Sequence, residues 1–365
     1  MKLICTLCEQ MSEDGNLWCE QSDCPAGNIP VVLGYGEFLG DIKVIRLLRL
    51  FRTAAVYEAE RENTLILLKV AHRGHEDALK QESALLARLA QANQPNLPKL
   101  LPAYRQGNIK SHSYGKAVFR NETKYYEAFA HITGEFLRDN LLQNPQPWYQ
   151  HGAWITLGVA HALSYLYKHD GGLHLNVCPD VIMVGEDNNG TPVPVLLDMG
   201  LILKPQAVDA EIMQRARHHI MPSYIAPELM EAGAKITEAS DVYGLGLLMY
   251  EMLNGTPAYT YRLRGDDEVR ADVRKSTLPP PDRRDIPQPA KVQALIAQAI
   301  NRSPSARPAS VIEFGKQFTE IFGSIPAPRR SIVKRFSEWS MPVVVGSVVF
   351  VLMLILFGAF LSPVP

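Results

Sequence analysis

Residues 174–200 read HLNVCPDVIMVGEDNNGTPVPVLLDMG. Two apolar runs flank Asp-Asn-Asn-Gly, so the stretch from Val181 to Asp198 is expected to form a strand hairpin. Helical rhythm dominates around it, in Gly152 to Tyr167, Ser240 to Leu253 and Ala290 to Ile300. Upstream, Lys43 to Leu50, Ala54 to Glu60 and Thr64 to Val70 are short runs rich in Val, Ile, Leu and Tyr that read as strands. They are followed by a helical pattern from His75 to Leu89, with apolar residues at Ala78, Leu79, Leu85, Leu86 and Leu89. A small β-rich part followed by a larger helical one is an α+β plan.

Working outward from the hairpin, the polar residues fall into an ordered series. LLKV carries Lys69, the next helix carries Glu82, and HLNVCPDVIMV begins at His174. LLDMGL contains Asp198, SYIAPEL contains Glu228, SDVYGLGLLMYEML contains Asp241 and SPSARPAS contains Arg307. This series resembles the eukaryotic-type protein kinase family, Ser/Thr kinases found also in bacteria. The resemblance covers about Leu39 to Phe322 and implies a bilobal fold, with a β-rich lobe at about 39–130 and a helical lobe at about 131–322. It also implies that Lys69 holds nucleotide phosphates, aligned by Glu82, and that Asp198 binds the metal of an ATP–Mg2+ complex. Glu228 with Arg307 matches a buried ion pair, Asp241 matches the anchor of the catalytic-loop backbone, and His174 matches that loop's histidine; these are scaffold roles.

The series departs from the family where chemistry is concerned. The glycine-rich loop aligns with Arg49 to Ala54, and no glycine occurs between Asp41 and Gly74. Without glycine a backbone neither approaches phosphates closely nor takes positive φ cheaply. Leu67 stands where the family has an alanine against the adenine ring, so nucleotide binding is expected to be weak. Asn176 replaces the catalytic aspartate, and an amide does not take a proton as a carboxylate does. Val181 replaces the metal-binding asparagine, and valine offers magnesium no ligand. Met199 replaces the phenylalanine of Asp-Phe-Gly, an acceptable apolar exchange.

No catalytic set is therefore intact. Lys69, Glu82 and Asp198 then have three readings: a buried structural network, a weak nucleotide site, or part of a divergent kinase in which another carboxylate serves as base. The first two make the chain a pseudokinase that presents a surface to a signalling partner; the third makes it an active Ser/Thr kinase. Cys178 takes the place of the loop lysine and reads as an inert buried thiol rather than a reactive one. His218 and His219, in the equivalent of the activation segment, read as solvated loop rather than metal ligands.

The two ends carry their own signals. Among 365 residues there are five cysteines. Four of these, Cys5, Cys8, Cys19 and Cys24, fall within residues 1–30 in two short-spaced pairs. That pattern suits a structural zinc ribbon with four cysteine ligands, with a redox role or no metal as alternatives. Zinc would supply most of the folding energy of so short a segment. Few basic or aromatic residues there support a reading in which the ribbon is itself the binding end. From Met341 to Leu361 the run MPVVVGSVVFVLMLILFGAFL has no charged residue, and about 20 helical residues span a bilayer. Arg329, Arg330, Lys334 and Arg335 lie in the linker at 323–340, which by the positive-inside rule places the bulk of the chain in the cytoplasm. A buried core helix is the alternative. Thirty-seven basic residues nearly balance 38 acidic ones, which removes the electrostatic case for nucleic acid.

Overall fold

The computed structural model describes residues 3–4, 11–12 and 32–323, apart from 91–93, 105–112, 148, 188, 208–209, 232, 234, 262–263, 276, 282 and 284. The first strands, β1 (Leu3–Ile4) and β2 (Met11–Ser12), pair antiparallel.

The sheet-rich lobe is built on β3 (Phe38–Leu39), β4 (Ile42–Leu50), β5 (Ala54–Arg61), β6 (Thr64–Ala71), β7 (Leu100–Leu101), β8 (Gly115–Phe119) and β9 (Glu122–Ala130). Their order is β3-β4-β5-β6-β9-β7, with β8 also on β9. Helix α1 (Glu76–Leu89) packs beside this sheet and buries Leu79, Glu82, Leu85, Leu86 and Leu89. The expected strands and helix thus appear within a residue or two of their sequence limits. The register fixes the neighbours of two key positions: Lys69 lies opposite Val56 on one side and Glu127 on the other, and Leu67 lies opposite Phe129.

The helical lobe opens with β10 (Gly134–Phe136), α2 (Leu137–Gln143) and α3 (Tyr149–Asp170). The hairpin follows as β11 (Ile182–Glu186) and β12 (Pro192–Leu196), and β10 adds to β11 as a third strand. Its turn is closed by Asp187, whose Oδ1 accepts the N–H groups of Asn189 and Thr191, and by Gly190 at φ 75°. Then come α4 (Ala210–His219), α5 (Glu238–Asn254), α6 (Asp266–Lys275), α7 (Pro289–Ala299) and α8 (Val311–Phe322). Helix α5 is apolar on every side, which suits only a central position, and 15 of its residues are buried. It ends at Gly255, whose φ of 79° is the left-handed cap that glycine adopts without steric cost.

One apolar core runs without interruption from α3 and α5 to Phe51, Val56, Leu67 and Phe129 of the other lobe. A second core, with Leu39, Ile42, Tyr57, Leu68 and Tyr126, covers the opposite face of the sheet. The cleft between the lobes is therefore bridged by packed side chains.

Candidate functional site

Strand β6 and helix α1 bring Lys69 and Glu82 together at 2.5 Å, and Lys69 Nζ is 3.0 Å from Asp198 Oδ1. All three side chains are buried, Lys69 to 2% exposure. Burial works against the Lys69 ammonium, yet the carboxylates of Glu82, Asp198 and Glu127 raise its pKa above the ordinary lysine value. Asp198, which burial alone would raise, is held below the usual range by that ammonium. One ammonium cannot neutralise three carboxylates. Burial raises Glu82, offset only in part by Lys69, and raises Glu127 far more, helped by the nearby charge of Glu82. Glu127 is 0% exposed and neither of its carboxylate oxygens has a hydrogen-bond partner among the described residues. It is the carboxyl of this cluster whose ionisation burial opposes most strongly. Sequence reasoning passed over Glu127, although its odd position amid the apolar alternation of Tyr126, Ala128 and Phe129 was a signal.

The turn from β4 to β5 consists of Phe51, Arg52 and Thr53, closed by the Phe51 N–H on the Ala54 carbonyl at 2.8 Å. With three full side chains and no glycine it folds inward. Phe51 is buried edge-on to Phe136, with ring centroids 6.0 Å apart, and its ring centroid lies 5.4 Å from Lys69 Nζ. Thr53 Oγ1 donates to Asp198 Oδ1 at 3.3 Å, and His72 Nε2 hydrogen-bonds the Phe51 carbonyl at 3.0 Å. Burial pushes His72 down to about 4, so at neutral pH it is an uncharged imidazole donating to that carbonyl. Beside Phe51, Leu67 is fully buried in the same apolar cluster.

The catalytic-loop equivalent is held by Asp241 at the start of α5. Its Oδ2 accepts the His174 N–H at 2.9 Å and its Oδ1 the Leu175 N–H at 2.6 Å. These bonds support Leu175 at φ 63°, a backbone region costly for leucine. Burial raises Asp241 to about 6, against the pull of both backbone N–H groups. His174 Nε2 bonds the Leu197 carbonyl at 3.0 Å, tying this loop to the strand leading to Asp198. Asn176 does not face an open cleft: its Oδ1 accepts the Met221 N–H at 2.9 Å, so the group at the catalytic position fastens the activation-segment backbone. Val181 is buried in the apolar core. Cys178 is buried too, and burial drives its thiol pKa far up, away from any thiolate.

The activation-segment equivalent contains α4, so His219 is not in a solvated loop. Its ring packs edge-on against His75 at 4.8 Å, and burial lowers it to about 4; only His218 is exposed. Beyond it, Arg307 and Glu228 form a bidentate pair at 2.8 and 2.8 Å. The remaining Arg307 donors reach the carbonyls of Ala239, Asn301 and Arg302, so all five N–H groups are used. A second buried network went unseen in the sequence: Arg138 Nη1 lies 2.5 Å from Glu251 and Nε 3.0 Å from Asp180, with Tyr224 donating to Glu251. No motif flags Arg138, because its partners are 42 and 113 residues away.

These residues do not fit an ATP–magnesium complex. Lys69 and Asp198 have suitable chemistry, but the Phe51 ring lies against the ammonium, Leu67 is fully buried at the place where the resemblance puts the adenine-side alanine, and Val181 offers no ligand. Cys5, Cys8, Cys19 and Cys24 lie outside the described residues, as does 341–361. Among the described residues no group of three or more His, Cys, Asp or Glu is placed to hold a metal, and no helix is long and apolar enough to cross a membrane.

Residues 53–318 match the family model for the protein kinase domain. The serine/threonine-protein kinase PknK of Mycobacterium bovis is 36% identical over 168 residues, which are 46% of this chain and 14% of that protein. The serine/threonine-protein kinase PknB of Mycolicibacterium smegmatis is 27% identical over 196 residues, 53% of this chain and 30% of that protein. The chain thus spans well under two thirds of the length of these relatives. The crystal structure of the Mycobacterium tuberculosis PknI kinase domain superimposes with a TM-score of 0.53 at 21% identity, over 79% of this chain and 99% of that one. The two-lobed fold, the ordered series from Lys69 to Arg307 and the matched span together make this chain a member of the protein kinase domain family.

Proposed function

We propose that this chain is a pseudokinase: a membrane-anchored kinase-like protein that acts by binding a signalling partner and does not transfer phosphate. The observation that carries this reading is the Lys69 ammonium, 2% exposed, ion-paired to Glu82 and Asp198 and covered by the ring of Phe51. A phosphate could reach it only by displacing a packed aromatic side chain. The use of Asn176 as a backbone fastener for Met221 supports the same reading. Nucleotide binding at Lys69, Glu82 and Asp198 is then weak or nil. In this proposal Cys5, Cys8, Cys19 and Cys24 hold a structural zinc ion, residues 341–361 form a single membrane span, and the kinase-like body lies on the cytoplasmic side.

Thermal unfolding of the full chain, with and without millimolar ATP and magnesium, tests the proposal. A ligand at 100 times its dissociation constant stabilises by about 2.7 kcal/mol. The expected result is no shift, and no transfer of radiolabelled phosphate to the chain or to a generic protein substrate. A magnesium-dependent shift that Asp198→Ala removes, accompanied by transfer, would replace this proposal with a divergent active kinase.

A further inference from the structure

The turn that covers Lys69 is fastened to the other lobe by charge. Arg52 makes a bidentate pair with Asp266 at the start of α6, Nη1 to Oδ2 at 2.5 Å and Nη2 to Oδ1 at 2.8 Å. The same Nη1 donates to the His218 carbonyl in the last turn of α4 at 3.0 Å. Three residues earlier, Arg49 Nη2 lies 2.5 Å from Asp139 in α2, and Nη1 lies 3.5 Å from Asp180. The turn and the end of β4 that leads into it are thus tied to four places in the helical lobe, up to 214 residues away in sequence. Phe51 sits between the two arginines in the chain, so the contacts on either side of it bear on where its ring lies.

We propose that Arg49 and Arg52 form an interlobe clasp that holds the cleft shut, and that release of Asp266 from Arg52 opens it. The clasp rests on reading the cleft as closed to nucleotide. What distinguishes it from ordinary packing is its exposure. The Arg52 and Asp266 side chains are 21% and 23% exposed, and Arg49, Asp139 and Asp180 are 18%, 40% and 17% exposed. Partly solvated pairs are weak enough to exchange partners, whereas the Glu228–Arg307 pair, at 5% and 0%, is not. Asp266 is already shared, since Arg270 Nη2 donates to its Oδ2 at 3.0 Å. A shift of α6 that hands Asp266 wholly to Arg270 would free Arg52. The same clasp links the covering turn to α4, so the turn and the activation segment are expected to loosen together.

Amide hydrogen exchange of the full chain, read by mass spectrometry over residues 49–56 and 210–221, tests this. Asp266→Asn and Arg52→Gln are each expected to speed exchange in both segments by up to about fivefold, the size of effect a partly exposed ion pair has on local opening. The exchanged pair, Arg52→Asp with Asp266→Arg, should restore slow exchange. Arg46→Gln, which breaks the Arg46–Glu58 pair inside the sheet, should leave both segments unchanged. Exchange in Asp266→Asn and Arg52→Gln equal to that of the parent chain, with global stability intact, would overturn the clasp. That result is independent of turnover: phosphate transfer by the parent chain would defeat the pseudokinase reading and leave the exchange pattern to stand or fall on its own.

Discussion

Two buried ion pairs in this molecule look alike and behave as opposites. Arg307 with Glu228 is complete: five guanidinium donors meet five acceptors, and the pair locks the segment after the activation helix onto the last part of the chain. Lys69 with Glu82 and Asp198 is overcrowded with carboxyls, because Glu127 adds a third with no hydrogen-bond partner of its own among the described residues. The first arrangement serves folding. The second leaves three carboxyls beside one ammonium, with the Phe51 ring against it and Leu67 buried in the same apolar core. Scaffold geometry and reaction geometry can therefore separate within a single fold, since only the former is needed to keep the chain folded.

The comparison can be broken most severely at Arg307. Arg307→Ala leaves the Glu228 charge buried without its partner, at an expected cost of about 3–5 kcal/mol in urea unfolding. Phe51→Ala is expected to cost about 3 kcal/mol, the low end for a buried phenylalanine. If Phe51→Ala also confers a magnesium-dependent thermal shift with ATP, the covering ring is what excludes nucleotide; no shift would assign that exclusion to Leu67 and the missing glycines.

Glu127 sharpens the contrast through pH. Its pKa is raised on folding, so the folded state holds a proton that the unfolded chain releases above about 4.3. Its contribution is fully present below that value and is lost as pH rises toward the folded pKa. Relative to Glu127→Gln, the parent chain should accordingly lose stability as pH rises over this window. Glu127→Leu removes an unpaired buried polar group and is expected to stabilise by about 1–3 kcal/mol at neutral pH in the same urea assay. Arg46→Ala, which breaks an exposed pair with Glu58, is the smallest effect, under about 1 kcal/mol, and sets the scale for the others.

Much of the fold was legible in the sequence because its signals are local. Strand runs, the Asp-Asn-Asn-Gly turn and the apolar rhythm of α1, α5 and α7 each depend on neighbours a few residues away. Motifs such as Asp241 and Arg307 were legible because their partners recur at set places in one family. The helix of the activation segment was not, since α4 is strongly polar and takes its order from Arg52 and His75 in the other lobe. Nor was the role of Asn176. The sequence shows that an amide cannot replace the lost base, but not that this amide would bond the Met221 N–H, 45 residues on.

The order and kind of the elements, the absence of glycine over Lys69 and the loss of the carboxylate at 176 are properties of composition and short-range spacing, and could be read directly. Where Phe51 went, why Glu127 resists ionisation and how Arg49 and Arg52 reach across the cleft are consequences of packing. Burial sets dielectric, and dielectric sets which charges survive; both depend on residues 58 to 214 positions apart that meet only in the folded chain.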